Sequence, residues 1–233
     1  YDTLRDPSEN FPGCEFICFT DQTDIRSSIW KIINVNKTDL PPNMMNRRYK
    51  LLPHLYLQNY NKSLYVDANL HIRCNPAFLA EKYDHSDFTL PKHFERDCIF
   101  DEAIECVTLR RDTFQKVANQ MIHYRAQGMP EHFGLGENNI LLRKHNNANI
   151  VGLMNDWWLQ INEESARDQL SLAYVLWKSG THCSFMEVSA RESTGPFEYA
   201  LHKNDTDRTT FSRIRDKFLF TCRRLYFSKF ARW

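Results

Sequence analysis

The chain has 233 residues, 42% of them hydrophobic and 13% aromatic, which is enough apolar surface to offset chain-ordering entropy and excludes a disordered protein. Its 30 Lys and Arg nearly cancel 29 Asp and Glu, so no chain-wide positive field exists to hold nucleic acid. With 7 Gly and 9 Pro it has too few turn formers for a sandwich or propeller, which leaves a mixed α/β or helical domain.

Residues 15–20 (EFICFT) and 29–35 (IWKIINV) are short, β-branched and aromatic, and read as strands. Residues 41–57 open on two prolines and then space Met44, Tyr49, Leu51, Leu52 and Leu55 helically, with Arg47, Arg48 and Lys50 on one side. One helix is predicted there. Residues 63–66 (SLYV) form another strand, running directly into Asp67-Ala68-Asn69. Asn75 followed by Pro76 is a helix start for residues 75–83. Helical spacing recurs over 97–108, 113–126, 149–161 and 167–178, with strands predicted at 138–143 and 183–188. Seven scattered cysteines without paired metal-type spacing read as reduced thiols and place the chain in the cytoplasm, and no apolar run reaches the ~18 residues of a membrane span.

Residues 1–207 form the expected domain, and 208–233 a tail with eight basic residues, one acid and many aromatics. Such a tail suits peripheral contact with an anionic membrane at its inner face; a C-terminal helix packed on the domain, or a linker to a further domain, also accounts for it.

Three places carry oxygen or nitrogen ligands at the ends of predicted elements. Asp67 and Asn69 close an apolar strand, where ligands collect in open α/β sheets; they could hold Mn²⁺ or Mg²⁺ on a diphosphate, or simply start a turn. Thr20 and Asp21 close another strand and offer acceptors to a ribose or base, or cap a turn. Arg47, Arg48, Lys50 and His54 are cationic donors suited to a diphosphate or a solvated helix face. His93 and Arg96 are further phosphate-contact candidates. Trp157 and Trp158 could stack on sugar or fill the core, and Asp168 could act as a base or cap a helix. His202 stands beside Asp67 and Asn69 as a third candidate metal ligand, without a partner of metal-type spacing. P-loop, dinucleotide-fingerprint and nucleophile-elbow motifs are absent.

In order, Tyr1-Asp2-Thr3-Leu4-Arg5-Asp6-Pro7, Cys18-Phe19-Thr20-Asp21, Arg48-Tyr49-Lys50-Leu51-Leu52-Pro53-His54, Tyr65-Val66-Asp67-Ala68-Asn69, His93-x-x-Arg96, Trp157-Trp158 and Arg167-Asp168-Gln169 form an ordered series. The series resembles the glycosyltransferase-like family long catalogued as a domain of unknown function, with plant cell-wall and bacterial capsule and polysaccharide members. The resemblance implies a GT-A-like, Rossmann-type mixed sheet flanked by helices, whose first strand would precede Tyr1. It also implies transfer of a sugar from a nucleotide-diphosphate sugar to a glycan or lipid-linked acceptor. Asp67-Ala68-Asn69 would be the D-x-D-like element, with Thr20 and Asp21 near the nucleoside, Lys50 and His54 near the diphosphate, and Asp168 facing the acceptor. Asn69 in place of the second acid weakens the expected divalent-cation site, because an amide binds a cation less well than a carboxylate. The same departure keeps a non-catalytic carbohydrate- or nucleotide-binding module as the competing reading.

Overall fold

The first apolar run forms β1 (Ile17–Thr20), which pairs in parallel with β2 (Lys31–Asn34), Ile17 opposite Lys31. The computed structural model describes residues 4–192, 194–200 and 221–227. Helix α1 (Pro42–Leu51) begins on a proline whose fixed φ suits a first turn. The single helix predicted over 41–57 breaks at Leu52. Pro53 has no N–H to donate and disfavours helical backbone in the residue before it, so Pro53–Leu55 form a separate 3-10 turn.

The strand predicted at 63–66 is β3 (Ser63–Val66), followed by β4 (Leu70–Ile72) and by α2 (Pro76–Lys82), whose Asn75 cap accepts the Ala77 N–H at 2.9 Å. After β5 (Phe88–Pro91) come α3 (Ile99–Thr108) and α4 (Phe114–Ala126), then β6 (Ile140–Arg143). Helices α5 (Ala148–Glu163) and α6 (Gln169–Ser179) precede β7 (Ser184–Met186) and β8 (Phe197–Tyr199).

Four strands make a mixed sheet in the order β3-β6-β5-β7, flanked by helices as a Rossmann-like α/β arrangement requires. Strand β6 runs antiparallel to both neighbours, and β5 runs parallel to β7. The carboxyl ends of β3, β5 and β7 therefore share one edge with the amino end of β6. Alternation along β6 sends Leu141 into a core with α3, α5 and α6, and Ile140 and Leu142 into a second core with Phe16, Leu70, Leu79 and Phe197. Trp157 lies fully inside the first core and Trp158 packs against it, so the aromatic pair is core rather than a sugar platform.

Strands β4, β5 and β8 have no counterpart among the predicted elements. Each is three or four residues long, β5 ends in proline, and β4 pairs with β8 across the chain, Leu70 opposite Tyr199. Among the described residues strands β1 and β3 each have a single partner, β2 and β6, and their other edges line one cleft of about 800 Å³ together with Leu4, Tyr49 and Arg143. Of the predicted tail, 221–227 is helical and Phe227 stacks on Phe114 at 5.3 Å, while the rest falls outside the described residues. Among the described residues no helix is long and apolar enough to cross a membrane. All seven cysteines are free thiols.

Candidate functional site

At the carboxyl end of β3, Asp67 extends the ladder by one bond, its N–H donating to the Asn139 carbonyl at 2.9 Å. Its own carbonyl accepts the Leu70 N–H at 2.9 Å and turns the chain into β4. Backbone pairing thus fixes where the carboxylate points, and 39% of that side chain stays exposed. Tyr65 lies two residues earlier on the same strand face, and its hydroxyl donates to Asp67 Oδ1 at 2.7 Å. Burial and the adjacent Asp67 charge push the Tyr65 phenol well above its usual range, so it remains a donor.

Helix α1 brings Lys50 to the same place from its last turn. The ammonium lies 2.6 Å from Asp168 Oδ2, 3.7 Å from Asp67 Oδ1 and 4.9 Å from the centre of the Tyr65 ring. Arg47, one turn earlier, reaches Asp168 Oδ1 at 3.6 Å. The Lys50 and Asp168 side chains are only 6% and 8% exposed, and charges so deeply buried persist only when paired. Asp168 caps α6 by accepting the Gln169 N–H at 3.1 Å, while its carbonyl accepts the Trp157 Nε1–H, also at 3.1 Å. Burial pushes the Asp168 carboxyl up, but Lys50, Arg47 and Arg167 overcome that and hold it well below the usual carboxylate range.

A second buried network adjoins the first. Arg96 Nε donates to Glu102 Oε2 at 2.8 Å, and His93 Nε2 lies 3.7 Å from the same oxygen. His93 Nδ1 accepts the backbone N–H groups of Glu95 and Arg96 at 3.2 and 3.1 Å, which places the ring proton on Nε2. Burial lowers the His93 pKa and raises that of Glu102. Arg167 joins the two networks, since its charge acts on both Asp168 and Glu102. The loop ahead of β6 closes this edge. Gln169 Nε2 donates to the Gly136 carbonyl, and any Cβ at Gly136 would overlap Leu90 Cδ1, so only glycine lets the loop approach β5.

Of the residues singled out from the sequence, the structure gathers Arg47, Lys50, Asp67 and Asp168 into one cluster and His93 and Arg96 into its neighbour. The others fall elsewhere. Thr20 Oγ1 accepts the Gln22 N–H at 3.1 Å and the Thr20 carbonyl accepts the Val35 N–H at 2.9 Å, forming a turn at the end of β1 beside the exposed Asp21. His54 lies among Asn155, His145 and Arg143, with its pKa lowered by burial, and it makes no ion pair with Asp67 or Asp168. Among the described residues Arg48 forms no ion pair, whereas its neighbour Arg47 does. Asn69 is buried, and its carbonyl accepts the Ala200 N–H at 2.9 Å. His202 lies outside the described residues. Tyr65 and Arg167 complete the site without having been assigned a role from the sequence, whereas Glu102, in the first turn of α3, makes the local ion pair its place at a helix start suggests. For Tyr65 the signal was its i−2 spacing from Asp67 on a strand; for Arg167 only the fold supplies one.

The donors described do not fit a hard divalent cation. Such ions take oxygen ligands, and here both carboxylates of the cluster, Asp67 and Asp168, already face the Lys50 ammonium, at 3.7 and 2.6 Å. An ion of charge two about 4 Å from an ammonium is repelled by about 8 kcal/mol at an effective dielectric of about 20. Among the described residues no three His, Cys, Asp or Glu side chains converge as a metal-holding group.

The model of the TOD1/MUCI70 family, glycosyltransferase-like domain, matches residues 18–194. No curated protein matches the chain.

Proposed function

This chain belongs to the TOD1/MUCI70 glycosyltransferase-like family, and we propose that it transfers a sugar from a nucleotide-diphosphate sugar to a glycan or lipid-linked saccharide on a GT-A-type sheet. The product is a capsule or other cell-surface polysaccharide, and the basic, aromatic tail brings the enzyme to the cytoplasmic face of a membrane. One observation carries the reading. Asp67, Lys50, Arg47 and Asp168 converge at the carboxyl edge of the sheet, where α/β folds collect their ligands.

In this reading Thr20 and Asp21 approach the nucleoside, and the basic side chains around Asp67, with His93 and Arg96 beside them, hold the diphosphate. The bond between the anomeric carbon and its phosphate oxygen breaks, and the nucleoside diphosphate leaves with the electron pair. The acceptor oxygen bonds to the anomeric carbon and gives its proton to Asp168. Asp168 becomes able to take that proton once the diphosphate draws Lys50 away from it, since Lys50 contributes most to keeping its carboxyl ionised.

Release of nucleoside diphosphate from a panel of UDP-, GDP- and CDP-sugars tests the assignment. Wild-type protein releases it from at least one, and Asp67→Ala lowers the rate by about 100-fold with an unchanged circular dichroism spectrum. Full activity in Asp67→Ala overturns the site assignment. A binding module without turnover is the second reading, favoured by the buried pairing of Asp168 with Lys50. It predicts nucleotide-sugar binding without release.

A further inference from the structure

We infer that the ammonium of Lys50 does the work of a divalent cation at this site, so that the protein's own side chains neutralise the donor's diphosphate. The inference rests on the nucleotide-sugar reading above and names the charge that site uses. Lys50 Nζ lies between two carboxylates, 2.6 Å from Asp168 and 3.7 Å from Asp67.

Its mount is rigid. The Lys50 carbonyl accepts a hydrogen bond from Arg143 Nη1 at 2.7 Å, and Arg143 is itself buried, with Nη1 also 3.5 Å from Met154 Sδ. Lys50 stands in the last turn of α1, where the helix dipole favours positive charge, and its ammonium lies over the Tyr65 ring at 4.9 Å. The backbone that carries the side chain is thus held before any ligand arrives.

Further positive donors stand in reserve. Arg47 is 3.6 Å from Asp168, yet its Nε is buried without a hydrogen-bond partner, and so is the Nε of Arg167. Unpaired guanidinium N–H groups are costly unless something accepts from them, and diphosphate oxygens are strong acceptors. When the donor binds, Lys50 trades Asp168 for a phosphate oxygen and Arg47 adds a second contact. The departing diphosphate keeps the electron pair of the broken bond, and Lys50 and Arg47 balance its charge.

The test compares turnover of a nucleotide sugar that the wild-type protein consumes, in excess EDTA and in a Mn²⁺ or Mg²⁺ titration, with calorimetry of UDP and GDP in EDTA alongside. Turnover in EDTA should stay within about twofold of that with metal. Lys50→Met should lower turnover by about 100-fold, with Lys50→Arg retaining part of it. Loss of wild-type turnover in EDTA and its return with Mn²⁺ overturns the inference and leaves the transferase reading standing. Absence of turnover from every nucleotide sugar overturns the transferase reading instead. In that case calorimetry decides the inference: UDP or GDP binding in EDTA that Lys50→Met removes supports it, whereas binding that requires Mn²⁺, or no binding in either condition, overturns it.

Discussion

Replacing Lys50 by Met removes the charge that holds Asp168 while keeping most of the buried stem. The pair is 2.6 Å long and its side chains are 6% and 8% exposed, so the loss leaves a carboxylate in a dry site. Breaking a buried pair by removing one partner costs about 3–5 kcal/mol, and because Arg47 and Arg167 stay near Asp168 the lower end is expected, about 3 kcal/mol. In a chain of this size about 3 kcal/mol lowers Tm by about 6–12 °C. Urea denaturation followed by tryptophan fluorescence is the assay, since Trp157 is fully buried beside Asp168. A double-mutant cycle with Asp168→Asn, which keeps an N-cap side chain for α6, should show coupling above about 1.5 kcal/mol. The control is Lys31–Glu15, nearly as short at 2.7 Å but 60% and 41% exposed. That pair should couple by about 0.2–1 kcal/mol, because water screens it. Coupling of Lys50 with Asp168 no larger than the control would refute the view that burial makes this pair.

Acidification should destabilise the protein through its buried imidazoles. Burial holds His54, His93 and His145 below their ordinary value of 6.5. The unfolded chain therefore takes up protons that the fold does not, so their contribution is complete above about 6.5 and is lost as pH falls toward the folded values. Tm should drop between about pH 7.5 and 5.5, and a constant or rising Tm over that range contradicts the assignment. Hydrogen exchange gives a separate check on the sheet. Phe16 and Thr20 carbonyls accept from β2, and the Asp67 N–H donates to Asn139 beside β6, so alternation turns the Ile17, Phe19, Leu64 and Val66 amides toward the cleft. Those four amides should exchange far faster than Leu141 and Leu142 unless an added strand covers them; equal protection in this chain would show that the edges are already paired.

Much of the site was legible because its residues end elements. Asp67 closes a strand, Asp168 starts a helix, and Lys50 follows Arg47 by three residues on one helix face. Local sequence does not show which charges meet. Lys50 and Asp168 come from α1 and the start of α6, and only the sheet order brings those helix ends together. The same limit left Arg47 open between a diphosphate contact and a solvated face, although it points at Asp168, and hid that His54 packs near Arg143. Thr20 and Asp21 carry the turn chemistry their residue types favour. Strands β4 and β8 were invisible for a related reason: a three-residue run has no measurable period, and its partner lies far along the chain.

A crystal structure of the protein soaked with UDP or GDP measures directly where a diphosphate binds. The prediction is a phosphate oxygen within hydrogen-bond reach of Lys50 Nζ, with Arg47 beside it and the Lys50–Asp168 contact lengthened from 2.6 Å. A diphosphate seated away from Asp67 and Lys50, with that contact unchanged, would contradict it.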